Sequence, residues 1–246
     1  MKRILFLPLI VVSAIGFTQE PVIEWQKSLG GSSVERAHSI QQTSDDGYIV
    51  AGHSDSNDGD VTGNQGGYDS WVVKLDASGN MTWEKSLGGV EADHFRSIQQ
   101  TTDGGYIVAG YSDSNGGDLT GNNGAHDYWI VKLDATGNII WQNSIGGSGS
   151  EEAFSIQETT NGGYIVAGQS QSNNGDVAGN HGGWDYWVVK LDATGSITWQ
   201  KSLGGSGYDY AYSIEQTTDG GYIVGGHSDS NDGDLTVNNG DTDGWV

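Results

Sequence analysis

From Val22 to the end of the chain, short apolar runs alternate with punctuation rich in Gly, Asp and Asn. In one stretch the runs are Met81–Leu87, Phe95–Thr101, Tyr106–Gly110 and Tyr128–Asp134, a pattern that predicts four short strands. Tyr106-Ile107-Val108-Ala109 is apolar throughout, as in a strand covered on both faces. Ser97-Ile98-Gln99-Gln100 alternates and belongs nearer a sheet edge. Between the runs, segments such as Thr102–Gly105 and Asp134–Asn138 hold the Asp, Asn and Gly residues that turns with positive φ require. With 41 Gly in 246 residues, and about 1 kcal/mol lost for each Gly inside a helix relative to Ala, long helices are excluded.

The pattern is one unit copied. Trp25, Trp83, Trp141 and Trp199 recur every 58 residues, as do Trp71, Trp129, Trp187 and Trp245, and Tyr48, Tyr106, Tyr164 and Tyr222. The copies are read as 23–80, 81–138, 139–196 and 197–246, and the last stops at Trp245-Val246 where the others continue into Lys-Leu-Asp, which reads as a truncated chain. One four-stranded unit leaves both faces wet, so neighbouring units must stack their Trp and Tyr residues face to face. The expected fold class is all-β, a β-propeller or propeller segment of about four four-stranded blades. The run Gly204–Ile214 followed by Asp219–Gly226 resembles the repeat of secreted bacterial β-propeller proteins. Val189–Trp199 is similar to quinoprotein-type propeller repeats, in which an Asp/Gly turn precedes a strand with a docking Trp. Tandem units of this length behind a leader also resemble exported proteins of the Bacteroidota. That resemblance implies a type IX sorting domain, which these 246 residues do not contain.

The leader is Met1-Lys2-Arg3, the apolar run Ile4–Phe17 and the polar Thr18-Gln19-Glu20, read as a signal peptide over residues 1–19 ahead of a repeat segment over 20–246. The apolar run is shorter than the ~20 residues that span a bilayer, and no second one follows, so no transmembrane segment is expected in the mature chain. The net charge of -22 repels phosphate backbones and excludes nucleic acid as a partner. The absence of Cys excludes disulfides, iron–sulfur clusters, thiolate zinc sites and Cys nucleophiles.

Candidate chemistry concentrates in the long connection Ser54–Asp69 and its copies. Every copy has Asn57, Asn115, Asn173 or Asn231, then Asp60, Asp118, Asp176 or Asp234, then Asp69, Asp127, Asp185 or Asp243. Dense oxygens suit calcium, for which Asp60, Asp118, Asp176 and Asp234 are the candidate ligands. The EF-hand template fails, because with Gly59 sixth, positions one, three and twelve are Ser54, Ser56 and Gln65. Asx turns that cap backbone N–H groups account for the same residues and are the favoured reading. A second acidic column, Glu35, Asp93, Glu151 and Asp209, offers paired carboxylates for glycoside hydrolysis, but it recurs in every copy and is assigned a surface or turn role. His38, His53, His94, His126, His181 and His227 show no metal spacing and are assigned to loops and surface. The quinoprotein resemblance implies a quinone-dependent dehydrogenase, which needs dedicated cation and base residues that near-identical units lack. Tyr68, Trp184, Tyr208 and Tyr210 stand outside the repeated aromatic columns and are the candidates for exposed ligand contacts.

The sequence is therefore read as a secreted or cell-surface, non-catalytic binding or scaffold module with no cofactor and an extracellular protein or glycan as partner. The alternatives are a polysaccharide-acting hydrolase and a calcium-dependent glycan-binding propeller.

Overall fold

The computed structural model describes residues 22–246, so the leader read at residues 1–19 lies outside the described residues. Four antiparallel sheets follow one another in chain order. The first holds β1 (Glu35–Gln42), β2 (Tyr48–Ser54), β3 (Asp69–Leu75) and β4 (Met81–Leu87). The second holds β5 (Asp93–Gln100), β6 (Tyr106–Ser112), β7 (Asp127–Leu133) and β8 (Ile139–Ile145). The third holds β9 (Glu151–Glu158), β10 (Tyr164–Ser170), β11 (Asp185–Leu191) and β12 (Ile197–Leu203). The fourth has three strands rather than four: β13 (Asp209–Gln216), β14 (Tyr222–Ser228) and β15 (Asp243–Trp245). The chain is all-β, and its repeated four-stranded sheets are propeller blades.

Sheets and sequence copies are out of frame. Met81–Leu87 opens the copy 81–138, yet it pairs with β3 as the outer strand of the first sheet. The turn between them explains this. Asp76 N–H donates to the Asn80 carbonyl (2.8 Å), and Asp76 Oδ1 accepts from Ser78 N–H (2.9 Å) and Asn80 N–H (2.8 Å), closing a tight hairpin that keeps the chain in its sheet. The chain crosses to the next sheet only at Gly88-Gly89 and beyond.

The apolar columns fill the space between sheets. Trp71, Trp129 and Trp187 lie opposite Gly52, Gly110 and Gly168, so all three hold the same position on successive sheets, and all three are buried. Trp129 packs with Ile49, Ala51 and Val72 of the first sheet and stacks on Phe95 with ring centroids 4.8 Å apart. Trp187 sits among Ile107, Ala109 and Ile130 of the second sheet. The junctions also share polar pins. Ile98, Ile156 and Ile214 N–H donate to Oγ of Ser39, Ser97 and Ser155 in the preceding sheet (3.2, 3.2 and 3.3 Å).

The first strand of every sheet carries a β-bulge, with His38, Arg96, Phe154 and Tyr212 as the extra residues. A bulge twists its strand and re-aims side chains. It also brings the bulged backbone onto the second strand, where a Cβ on Gly110 would run into the His94 carbonyl. Gly110→Ala is therefore expected to cost about 3 kcal/mol or more. Gly121 has a positive φ of 96° but open space around it, so Gly121→Ala should cost only about 1 kcal/mol. Chemical denaturation of the two variants checks this difference.

Candidate binding site

The loops joining second and third strands are closed by their own side chains. Gly63 N–H donates to Asn57 Oδ1 (3.1 Å), Gly66 N–H to Asn64 Oδ1 (3.0 Å), and Asn64 Nδ2 to the Ser54 carbonyl (3.1 Å). Asp60 N–H donates to the Gly30 carbonyl (3.0 Å), while Asp60 Oδ2 accepts from Gly30 N–H (3.1 Å). Asp118 with Gly88, Asp176 with Gly146 and Asp234 with Gly204 repeat this two-point clasp. The calcium candidates thus each fasten a loop to the Gly-Gly turn that enters the same sheet. Among the described residues, no three His, Asp or Glu side chains converge as a metal-binding set.

The second acidic column proves to be interior rather than surface, a correction to half of its assignment. Asp93, Glu151 and Asp209 are fully buried and accept from Gly89, Gly147 and Gly205 N–H (2.8, 2.7 and 2.9 Å). Glu35, at the first sheet, accepts from Gly31 N–H (3.1 Å) and from Ser54 (2.8 Å). Beside each buried acid lies a second. Asp69, Asp127 and Asp185 accept from the N–H of Gln65, Asn123 and His181 (2.8, 2.8 and 2.9 Å), while their Oδ1 atoms are buried without a partner. A Cβ on Gly88 would stand 2.6 Å from Asp93 and 2.7 Å from Asp69, so glycine is required where the two carboxyls converge. Burial first, and then the charge of Asp93, pushes Asp69 up to about 6; Asp127 rises to about 6 through burial and Glu151. The folded chain therefore binds these protons more tightly than the unfolded chain. The two carboxyls add stability as pH falls from above 6 toward 4 and lose that contribution as pH rises through 6. Asp69→Asn is expected to stabilise the protein by on the order of 2 kcal/mol at pH 7.5 and by much less at pH 4.5. Thermal unfolding at the two pH values reads the difference.

A different set of positions stands out by changing between copies. One column reads Arg36, His94, Glu152, Tyr210, and the bulge column reads His38, Arg96, Phe154, Tyr212. A third reads His53, Tyr111, Gln169, His227, and the loop-end column reads Tyr68, His126, Trp184, Thr242. The first and third columns are cross-strand partners in every sheet. The loop-end residues are pinned to the next sheet, because the carbonyls of Tyr68, His126 and Trp184 accept from the N–H of Asp93, Glu151 and Asp209 (2.6, 2.7 and 2.5 Å).

Together these columns make one row across the sheets. His38 Nε2 lies 3.2 Å from His53 Nδ1, and the rings of His53 and His94 meet edge to face at 4.2 Å. His94 then packs on Tyr111 (5.0 Å), and Tyr111 stacks on His126 (4.9 Å). His126 is 3.3 Å from Asp113 and 3.8 Å from Glu152, which accepts from Gln169 (3.2 Å). Beyond them Trp184, Tyr208, Tyr210 and Tyr212 gather around His227, with Tyr210 and Tyr212 at 4.9 and 5.4 Å from its ring. Arg96 donates to the Tyr111 hydroxyl (3.1 Å) and reaches His38 (3.0 Å). Burial, reinforced by neighbouring His and Arg residues, lowers His53 to about 4 and His94 to about 3, so both are neutral at pH 7.

Three of the four singled-out aromatics, Trp184, Tyr208 and Tyr210, are brought together, while Tyr68 packs on His53 and His94 at the other end of the row. Tyr208 is exposed; Tyr68, Trp184 and Tyr210 are half-buried. The loop-and-surface assignment of the histidines is corrected. His38, His53, His94 and His227 lie on strands, and His53 is buried, because the sheet junction folds them against one another. Arg36, Arg96, Tyr111 and Glu152 escaped the sequence reading. The signal that finds them is a column-by-column comparison of copies, in which their columns change chemical class while the adjacent Ser39, Gly52, Ser54 and Asp69 columns barely change.

No family model matches this chain. The regulatory protein FlaEY of Caulobacter vibrioides is 26% identical over 162 residues, covering 61% of this chain and 17% of that protein. Similar solved structures include a Bacteroides caccae protein of unknown function (TM-score 0.48, 12% identity, 77% of this chain and 53% of that one). The Neurospora crassa Pan2 WD40 domain is another (TM-score 0.37, 11% identity, 77% and 60%). The chain thus spans under a fifth of FlaEY and little more than half of these two solved chains.

Proposed function

We propose that this chain is an exported, non-catalytic binding module that holds a partner protein on the row of His, Arg and aromatic residues. One observation carries the reading: the columns that differ between copies are the columns that meet in space. Residues serving the scaffold repeat, as Trp71 and Asp60 do, because every junction has the same geometry to satisfy. The row has no such symmetry, and it holds His94 Nδ1, Arg96 Nε and Gln169 Oε1, which are buried without partners among the described residues.

Its two ends differ in chemistry. Arg36 and Arg96, the arginines of the described residues, mark a basic end on a chain of net charge -22, which attracts carboxylates. Trp184, Tyr208, Tyr210 and Tyr212 offer flat amphipathic surfaces of the kind that anchor protein interfaces. A protein segment with acidic and apolar side chains fits both ends. Export rests on the leader sequence alone. The hydrolase reading has weaker support, since the paired acids are identical in every copy and turned toward glycine N–H groups. Glu152 is the copy-specific acid, and it is engaged by Gln169.

A photoreactive phenylalanine analogue placed at Tyr68 or Tyr208, in cells that make the protein, is expected to form a discrete adduct with one protein that Arg96→Ala removes. The same analogue at Ser78, in the hairpin between β3 and β4, should form none. Equal adducts at all three positions would overturn the reading, as would polysaccharide turnover lost in Glu152→Gln.

A further inference from the structure

The two ends of the series of sheets differ from its internal junctions, and they match each other. Ile98, Ile156 and Ile214 are each 5% exposed, whereas Ile40, in the same column of the first sheet, is 65% exposed. Ile49, Ile107 and Ile165 are fully buried, whereas Ile223, in the same column of the fourth sheet, is 49% exposed. The first sheet therefore shows the face that elsewhere receives a preceding sheet, with Ile40, Val50, Trp71 and Val73 around a groove of about 500 Å³. The fourth shows the face that elsewhere receives a following one.

The strand that the fourth sheet lacks is also present in the chain. Trp25, Ser28 and Leu29 occupy the columns of Trp83, Ser86 and Leu87 in β4, yet the segment 23–29 belongs to no sheet. It is nonetheless already seated as an outer strand. Trp25 meets Tyr48 at 5.5 Å and 63°, as Trp83 meets Tyr106 at 5.8 Å and 63°. The Asp60–Gly30 clasp fixes its C-terminal end, as Asp118–Gly88 fixes that of β4.

We propose that a second copy of this chain covers both ends, each copy's segment 23–29 supplying the outer strand beside the other's β15. The internal register sets the pairing: Trp187 lies opposite Ser202 and Tyr186 opposite Leu203, so Trp245 takes Ser28 and Gly244 takes Leu29 of the other copy. Ser213 accepts from the other copy's Ile40 N–H, as Ser39 does from Ile98. Two such contacts related by a two-fold axis close a ring with no uncovered sheet face. Because each copy carries a charge of -22, moderate salt favours the pairing.

Light scattering on the full chain at micromolar concentration is expected to give twice the mass of one chain. Ile40→Glu and Ile223→Glu alter side chains that are exposed in one copy, so each should leave the circular dichroism spectrum unchanged and halve the mass. Mixing the two variants restores association, since one of the two contacts is then unaltered on both sides. A monomeric wild type, a pairing indifferent to Ile223→Glu, or variants that fail to associate on mixing would overturn the proposal.

Discussion

A small sheet with apolar side chains on both faces has no stability alone, and the structure depends on each sheet being covered by the next. Trp129 and Trp187 are the largest side chains committed to that contact, and both are wholly buried between sheets. The other repeated features serve the same contact. The Asp60-type clasps hold the long loops against the Gly-Gly turns, the Ser39-type hydroxyls pin inner strand to inner strand, and the buried acids organise the crossing from one sheet to the next. A geometry repeated at each junction allows one solution to be copied, and the columns are copied accordingly.

This interdependence has a local cost. At each crossing two carboxyls converge on one glycine, with an oxygen left unpartnered and a raised proton affinity. The protein tolerates that strain because Gly89, Gly147 and Gly205 N–H groups and paired serines satisfy the neighbouring oxygens. The bulges have a second consequence. They demand glycine on the second strand, and they turn His38, Arg96, Phe154 and Tyr212 toward the row. The geometry that forbids variation at Gly110 thus creates an adjacent position where variation carries no folding penalty.

The fold was legible because its determinants are periodic: the Trp and Tyr columns, the apolar run at Tyr106–Ala109 and the Asp/Gly turns each announce a strand or its end. The frame of the sheets was not, since Met81–Leu87 reads equally well as the start of one unit or the end of another until the Asp76 hairpin is seen. The bulges were hidden because a bulge is a relation between two strands. The row was hidden for a related reason. His53 and His94 are 41 residues apart and belong to different sheets, so only the junction brings them together. Tyr68, Trp184, Tyr208 and Tyr210 were visible as aromatics out of column, whereas Arg96 and Glu152 had no individual feature to mark them.

The account divides the chain into columns that fold it and columns that recognise a partner, and this division is directly measurable. His94, Arg96, Tyr111 and His126 of the second sheet can be exchanged as a set with Glu152, Phe154, Gln169 and Trp184 of the third. If the division holds, the thermal unfolding midpoint of the exchanged chain stays within about 3 °C of the parent and the transition remains cooperative. A fall of more than about 10 °C would show that the row is part of what holds the sheets together, and would contradict the account.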